Sequence, residues 1–236
     1  GHDYIYFPPW DDIAFLRGVE PILYDMYDRP EYLHRIMRKF TDAAIARLDF
    51  IEQNSHVDPT SVNLHCTPGM VSGLAEDGWK ATWFRGAAQG FSTVSPEMHE
   101  EFELRYVRPM AQRFAYTYYG CCEPLHSKLD VIRTIPNLRK VGVSPWAKVE
   151  TMAEQLGGNY VLSRKPNPAH VATRTDPEEI REGFREVDSL LERLPLKSAD
   201  RVFDVVYGQC CRYQRQAFLD GLMLGAALQG AMTARL

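Results

Sequence analysis

Leu33, Ile36, Met37, Phe40, Ala44 and Leu48 recur at steps of three and four residues, which lines one face of a helix with apolar side chains. Arg35, Arg38, Lys39 and Asp42 fall on the opposite face. The chain ahead of this stretch carries helix punctuation. Asp11-Asp12 and Glu20-Pro21 supply acidic starts and a proline suited to a first turn, and Arg29-Pro30-Glu31 opens the amphipathic segment. Further on the pattern changes to short runs. Ser61-Val-Asn-Leu-His-Cys66 reads as a strand running into Thr67-Pro68-Gly69, and Thr82 to Gln89 as a second strand weakened by Gly86. Ser95-Pro96-Glu97 then starts a helix to about Arg113, with Ser95 as N-cap and acidic residues facing the positive end of the helix dipole.

The remaining pattern alternates. Strands are predicted at Tyr116 to Cys122, Lys140 to Ser144 and Tyr160 to Ser163, with helices over Leu125 to Ile135, Ala147 to Leu156 and Asp176 to about Arg193 between and after them. Strands separated by helices build a parallel sheet with crossover connections. Two further helices are predicted over Arg201 to Tyr213 and Gln216 to Ala231.

The 236 residues are 45% hydrophobic, enough to bury a core, and carry a formal charge of -4. That charge gives no general attraction for nucleic acid or anionic lipid. No apolar run approaches the roughly 20 residues of a membrane span, and the start of the chain lacks a signal-peptide pattern, so a soluble, cytoplasmic protein is expected. Five cysteines, Cys66 and the adjacent pairs Cys121-Cys122 and Cys210-Cys211, do not form a disulfide framework.

Several segments together resemble the uroporphyrinogen decarboxylase superfamily, whose members include cobalamin-dependent methyltransferases. They are Phe15-Leu-Arg-Gly-Val-Glu20 with Tyr27-Asp-Arg-Pro-Glu31, Val94-Ser-Pro-Glu-Met-His-Glu-Glu-Phe102, Tyr119-Gly-Cys-Cys-Glu-Pro124, Val143-Ser-Pro-Trp146 and Ser163-Arg-Lys-Pro-Asn-Pro168. Their order spans residues 10–190. The resemblance implies an α/β fold of the (β/α)8 TIM-barrel type with its site at the carboxyl ends of the strands. The barrel is expected to be incomplete, without its first strands and last strand. Residues 1–194 form the partial barrel in this reading, and residues 195–236 a helical tail.

In the methyltransferase branches a strand ends in His-x-Cys, part of a zinc site that activates a thiol. Cys122 falls where the family cysteine stands, but Gly120 replaces the histidine. Cys122, Glu123 and His126 are the candidate catalytic and zinc-binding set, and Cys121, in an extended strand, is expected to point away from Cys122. Gln89, Trp146, His65, Arg164 and Lys165 are candidate substrate contacts, the last two as an anion-binding pair. Arg17 is compatible with a helix-to-barrel ion pair, and Tyr116, Tyr118 and Tyr119 read as packing aromatics.

Three functions follow as alternatives. The first is a metal- or thiolate-assisted methyltransferase, with zinc and with a corrinoid as methyl donor or acceptor, implying a corrinoid protein partner. The second is a metal-free decarboxylase of a tetrapyrrole or other polyacid, with cations holding the carboxylates. The third is a non-catalytic barrel remnant acting as a binding module, forming a homo-oligomer through an open sheet edge.

Overall fold

Proline suits the first turn of a helix, where its missing N–H is not needed, and Pro9 and Pro30 open two helices of the amino-terminal part. In the computed structural model, which describes residues 5–54, 63–64, 67–68, 71, 78–165, 167, 182 and 185, these helices are α1 (Pro9–Arg17), α2 (Val19–Asp28) and α3 (Pro30–Asn54). All the described residues fall within one compact unit, Gly1–Leu196. The apolar stripe of α3 faces inward as its spacing predicts: Leu33, Met37 and Leu48 are fully buried, and Phe40 and Ala44 pack against the core. Arg17 does not reach the sheet. Its guanidinium and that of Arg29 both hold the buried carboxylate of Asp25, joining α1, α2 and the start of α3.

Five parallel strands form the main sheet in the order β1-β4-β5-β6-β7, with β1 Ile5–Phe7, β4 Trp83–Gly86, β5 Tyr116–Tyr119, β6 Leu138–Val143 and β7 Val161–Arg164. β2 (Asn63–Leu64) and β3 (Thr67–Pro68) pair antiparallel in a separate ribbon. Of the predicted strand Ser61 to Cys66, the described Asn63–Leu64 is extended but pairs with Thr67–Pro68 and not with the parallel sheet. The strand that pairs with β4 on its other side is Ile5–Phe7, too short for its periodicity to signal a strand. The predicted helix Leu125 to Ile135 is also shorter than expected: α6 covers Leu129–Ile132, the preceding residues being held in a turn by Lys128 N–H to Leu125 O.

Within the sheet each new strand lies outside the last, so the order never reverses. The helix between each pair of strands packs on one and the same face. Leu104, Val107 and Met110 come from the helix of the β4–β5 crossover, Leu129 and Ile132 from α6, and Met152 and Leu156 from α7 (Val149–Leu156). They meet Phe7, Phe84, Tyr119, Val141 and Val143 of the strands. Residues alternate between faces along a strand, so the other face carries Trp83, Arg85, Tyr116, Tyr118, Lys140 and Ser163.

The β4–β5 crossover begins as predicted, with Ser95 Oγ accepting from Met98 N–H at the start of α4 (Pro96–His99). It then widens into a π-helical turn, Glu100–Leu104, before α5 (Arg105–Ala111). π-Turns within helices often accompany polar sites because they re-aim side chains. Here the turn contains Glu103, which is fully buried.

No helix among the described residues is long and apolar enough to cross a membrane. His65, Cys66, the helix from Asp176, Cys210-Cys211 and the 195–236 tail lie outside the described residues, except that Glu182 and Arg185, both exposed, are helical and ion-paired at 2.7 Å.

Candidate functional site

Gly120-Cys121-Cys122-Glu123 follows the end of β5, and the chain turns there because Gly120 adopts φ +103. A β-carbon on Gly120 would lie 2.6 Å from Leu125 Cδ1 and 3.4 Å from the backbone N of Gly142 in β6. The backbone conformation favours glycine, and a β-carbon would also have to displace the Leu125 side chain. A histidine, which the resembled zinc site carries here, would be strained at this position.

The turn also decides where its neighbours go. Cys121 is buried and Cys122 exposed, yet their sulfurs lie 3.6 Å apart. The expectation that they point to opposite sides fails, because the strand has ended at Tyr119 and the alternation with it. Glu123 turns inward: its Oε2 accepts from Cys121 N–H at 3.1 Å, and its side chain is almost wholly buried. His126 is turned to another neighbour, with Nδ1 accepting from Lys148 N–H at 3.4 Å. Cys122, Glu123 and His126 are therefore each engaged separately. Among the described residues no three His, Cys, Asp or Glu side chains come together as a metal-ligand group. This arrangement does not fit the zinc site inferred from the resemblance.

On the helix-covered face, beneath the same turn, lies a buried polar cluster that sequence reasoning did not find. Tyr119 donates to Glu103 Oε2, and His99 Nε2 stands 2.6 Å from both that oxygen and the tyrosine hydroxyl. His99, Glu103 and Tyr119 are all fully buried. Burial, reinforced by Glu103 and Glu123, holds the Tyr119 phenol well above its usual range, so it stays protonated and donates. Burial, with Glu103 nearby, also pushes the Glu123 carboxyl up. Lys128 supplies a cation to this group: its ammonium donates to Phe91 O, and burial brings its pKa down to about 8 against the opposing pull of Glu123 and Glu103. The i,i+4 spacing of His99 and Glu103 was a visible signal, since such residues share a helical face. Their convergence with Tyr119 depends on packing.

The opposite face gathers cations around Tyr118. Arg85 Cζ lies 5.5 Å, Lys140 Nζ 5.3 Å and Lys165 Nζ 5.6 Å from the ring centroid. Lys165 also donates to Tyr118 Oη at 2.9 Å, and Tyr118 in turn donates to Ser163 Oγ at 3.3 Å. Strand register produces the grouping, for Arg85, Tyr118 and Lys140 are consecutive partners across β4, β5 and β6. Arg85 and Lys140 are buried, whereas Lys165, one residue beyond β7, is half-buried at the carboxyl edge.

Arg164 and Lys165, expected to act as a pair, are separated by the strand's alternation. Arg164 donates to Ser144 O at 3.0 Å, while Lys165 reaches Tyr118. Gln89 is exposed at the end of β4, and both its backbone N–H and its side-chain amide donate to the Asp11 carboxylate at 3.0 Å, tying that edge to α1. Trp146, after β6, is 62% exposed. Burial and the neighbouring Cys121 raise the Cys122 thiol, with Lys165 opposing them.

Compared with models of protein families, with curated proteins and with solved structures, the chain gives no match.

Proposed function

We propose that the chain is part of a β/α-barrel enzyme of the uroporphyrinogen decarboxylase type, which holds a carboxylate-bearing substrate at the carboxyl edge of the sheet and releases CO2 from it. The barrel reading is supported by the unreversed strand order with its helices on one side. A doubly wound sheet reverses its order and carries helices on both sides.

The observation that carries the function is the gathering of Arg85, Lys140 and Lys165 around Tyr118, with Lys165 at the edge where β/α enzymes collect their substrates. A substrate carboxylate seated against the Lys165 ammonium would be held by a charge-assisted hydrogen bond, and a cation at that position favours a transition state in which negative charge develops. In the proposed reaction the bond between the substrate carbon and its carboxylate breaks and CO2 leaves. The electron pair left on that carbon is delocalised into the substrate's own π system and then takes a proton from water, so that a C–H bond replaces the C–C bond that broke. Lys165 stabilises that charge, Tyr118 positions Lys165, and Trp146 supplies an apolar wall.

A second reading is methyl transfer, favoured by one observation: Cys122 is an exposed thiol at the strand end where the resembled methyltransferases carry theirs. It implies a corrinoid as methyl donor or acceptor, with its carrier protein as partner.

The test is to offer the protein a tetrapyrrole polycarboxylate and a small tricarboxylate, following binding by calorimetry and CO2 release by mass spectrometry. Binding weakened at least tenfold by Lys165→Met and restored by Lys165→Arg is the expected result. Failure to bind either polyacid would overturn the reading, and S-methylation of Cys122 by a methylcorrinoid would establish the second one.

A further inference from the structure

Two neighbouring thiols in an extended strand diverge, but the left-handed backbone at Gly120 ends the strand just before Cys121 and brings the pair round to one side. Their sulfurs lie 3.6 Å apart, one buried and one exposed. The geometry is braced. Cys121 N–H is held at 3.1 Å by the buried Glu123 carboxylate, and Gly120 packs against Gly142 of the adjacent strand. A disulfide would require the sulfurs to approach to about 2.0 Å. A third atom bonded to both sulfurs at about 2.3 Å, the length of a zinc–thiolate bond, spans the observed gap with an angle of about 100°.

Donor count narrows the choice of that atom. Zinc needs three or four protein ligands, and among the described residues no third His, Cys, Asp or Glu joins the two sulfurs. A trivalent organoarsenical needs only two thiolates, because the third position of its pyramidal centre is filled by its own carbon substituent.

From this geometry we infer that Cys121 and Cys122 form a dithiol site for a trivalent organoarsenical at the exposed end of β5. The site stands independently of the proposed decarboxylase activity. Binding is a condensation without redox change: an arsenic oxide, R–As=O, forms two S–As bonds, and the two thiol protons leave with the oxygen as one water. Arsenic stays trivalent throughout.

The experiment uses the reduced full chain with Cys66, Cys210 and Cys211 replaced by Ser, and phenylarsine oxide as the probe. A 1:1 adduct by intact mass is expected, surviving a large excess of monothiol and removed by dimercaptopropanol. Adding Cys122→Ser, at an exposed position where folding is not at stake, is expected to weaken retention at least about hundredfold, because the second bond is intramolecular. Cys121→Ser should do the same. No adduct in the three-serine parent, or equal retention after Cys122→Ser, would overturn the inference, as would displacement of the probe by stoichiometric zinc.

Discussion

Gly120 stands so close to Leu125 that a β-carbon on the glycine would come within 2.6 Å of Leu125 Cδ1. With φ at +103, the backbone adds its own penalty for any other residue. Gly120→Ala is therefore expected to cost about 2–4 kcal/mol, measured as a shift of the urea midpoint. Combining it with Leu125→Ala removes the clash but leaves the backbone strain, so Gly120→Ala should still destabilise a Leu125→Ala background. If Gly120→Ala were silent in both backgrounds, the chain would not turn here as described.

Tyr119 joins His99 to Glu103 through a hydroxyl with no access to solvent. Tyr119→Phe keeps the ring and strips one partner from each, which should lower stability by about 1–3 kcal/mol. Because the three side chains act as one network, Tyr119→Phe and Glu103→Gln should be non-additive in a double-mutant cycle. Simple additivity would show that they do not share hydrogen bonds.

Lys128 sets a pH dependence whose sign follows from its lowered pKa. Below pH 8 it is charged in both the folded and the unfolded chain. Between about 8 and its ordinary 10.5 the unfolded chain keeps a proton that the folded one has lost, so this group makes stability rise with pH. After allowance for solvent screening the gain is about 1–2 kcal/mol. Chemical denaturation from pH 8 to 9.5 should give a slope of stability against pH that is more positive in the wild type than in Lys128→Met, the difference isolating this group from the cysteines and tyrosines that also titrate. An identical slope in both would remove Lys128 from the account.

Trp146 and Lys165 should separate stability from function. Trp146→Ala is expected to change stability by less than about 0.5 kcal/mol, since the side chain is largely in solvent, while weakening polyacid binding. Lys165→Met should weaken binding more, and the wild-type affinity should fall with added salt as charge attraction is screened. Salt-independent binding would exclude Lys165 as an anion contact.

The α3 stripe and the Ser95 cap were legible because both are local: one needs only helical spacing, the other three residues of chain. Alternating strands and helices announced the parallel sheet for the same reason. Ile5–Phe7 escaped notice because three residues carry no readable period, and the strand read within Ser61 to Cys66, present at Asn63–Leu64, pairs outside the main sheet because strand propensity does not choose a pairing partner. Lys165 could be placed at a strand end from the sequence, but its contact with Tyr118 could not. Arg85, Lys140 and Lys128 carry no local mark in the sequence, and His99 and Glu103 show only their i,i+4 spacing, which does not reveal that Tyr119 joins them.

The helix over Pro30–Asn54, the start of the helix at Ser95 and the alternation of strands with helices through residue 164 are written in the chain itself, because they depend on neighbours a few residues apart. Long-range packing brings Arg85, Tyr118, Lys140 and Lys165 together on one face and His99, Glu103 and Tyr119 on the other. Those meetings are set by strand register and by the packing of a π-turn against the sheet. The pairing of Cys121 with Cys122 belongs with them, for it depends on a glycine conformation that the backbones of Gly120 and Gly142 and the side chain of Leu125 enforce together.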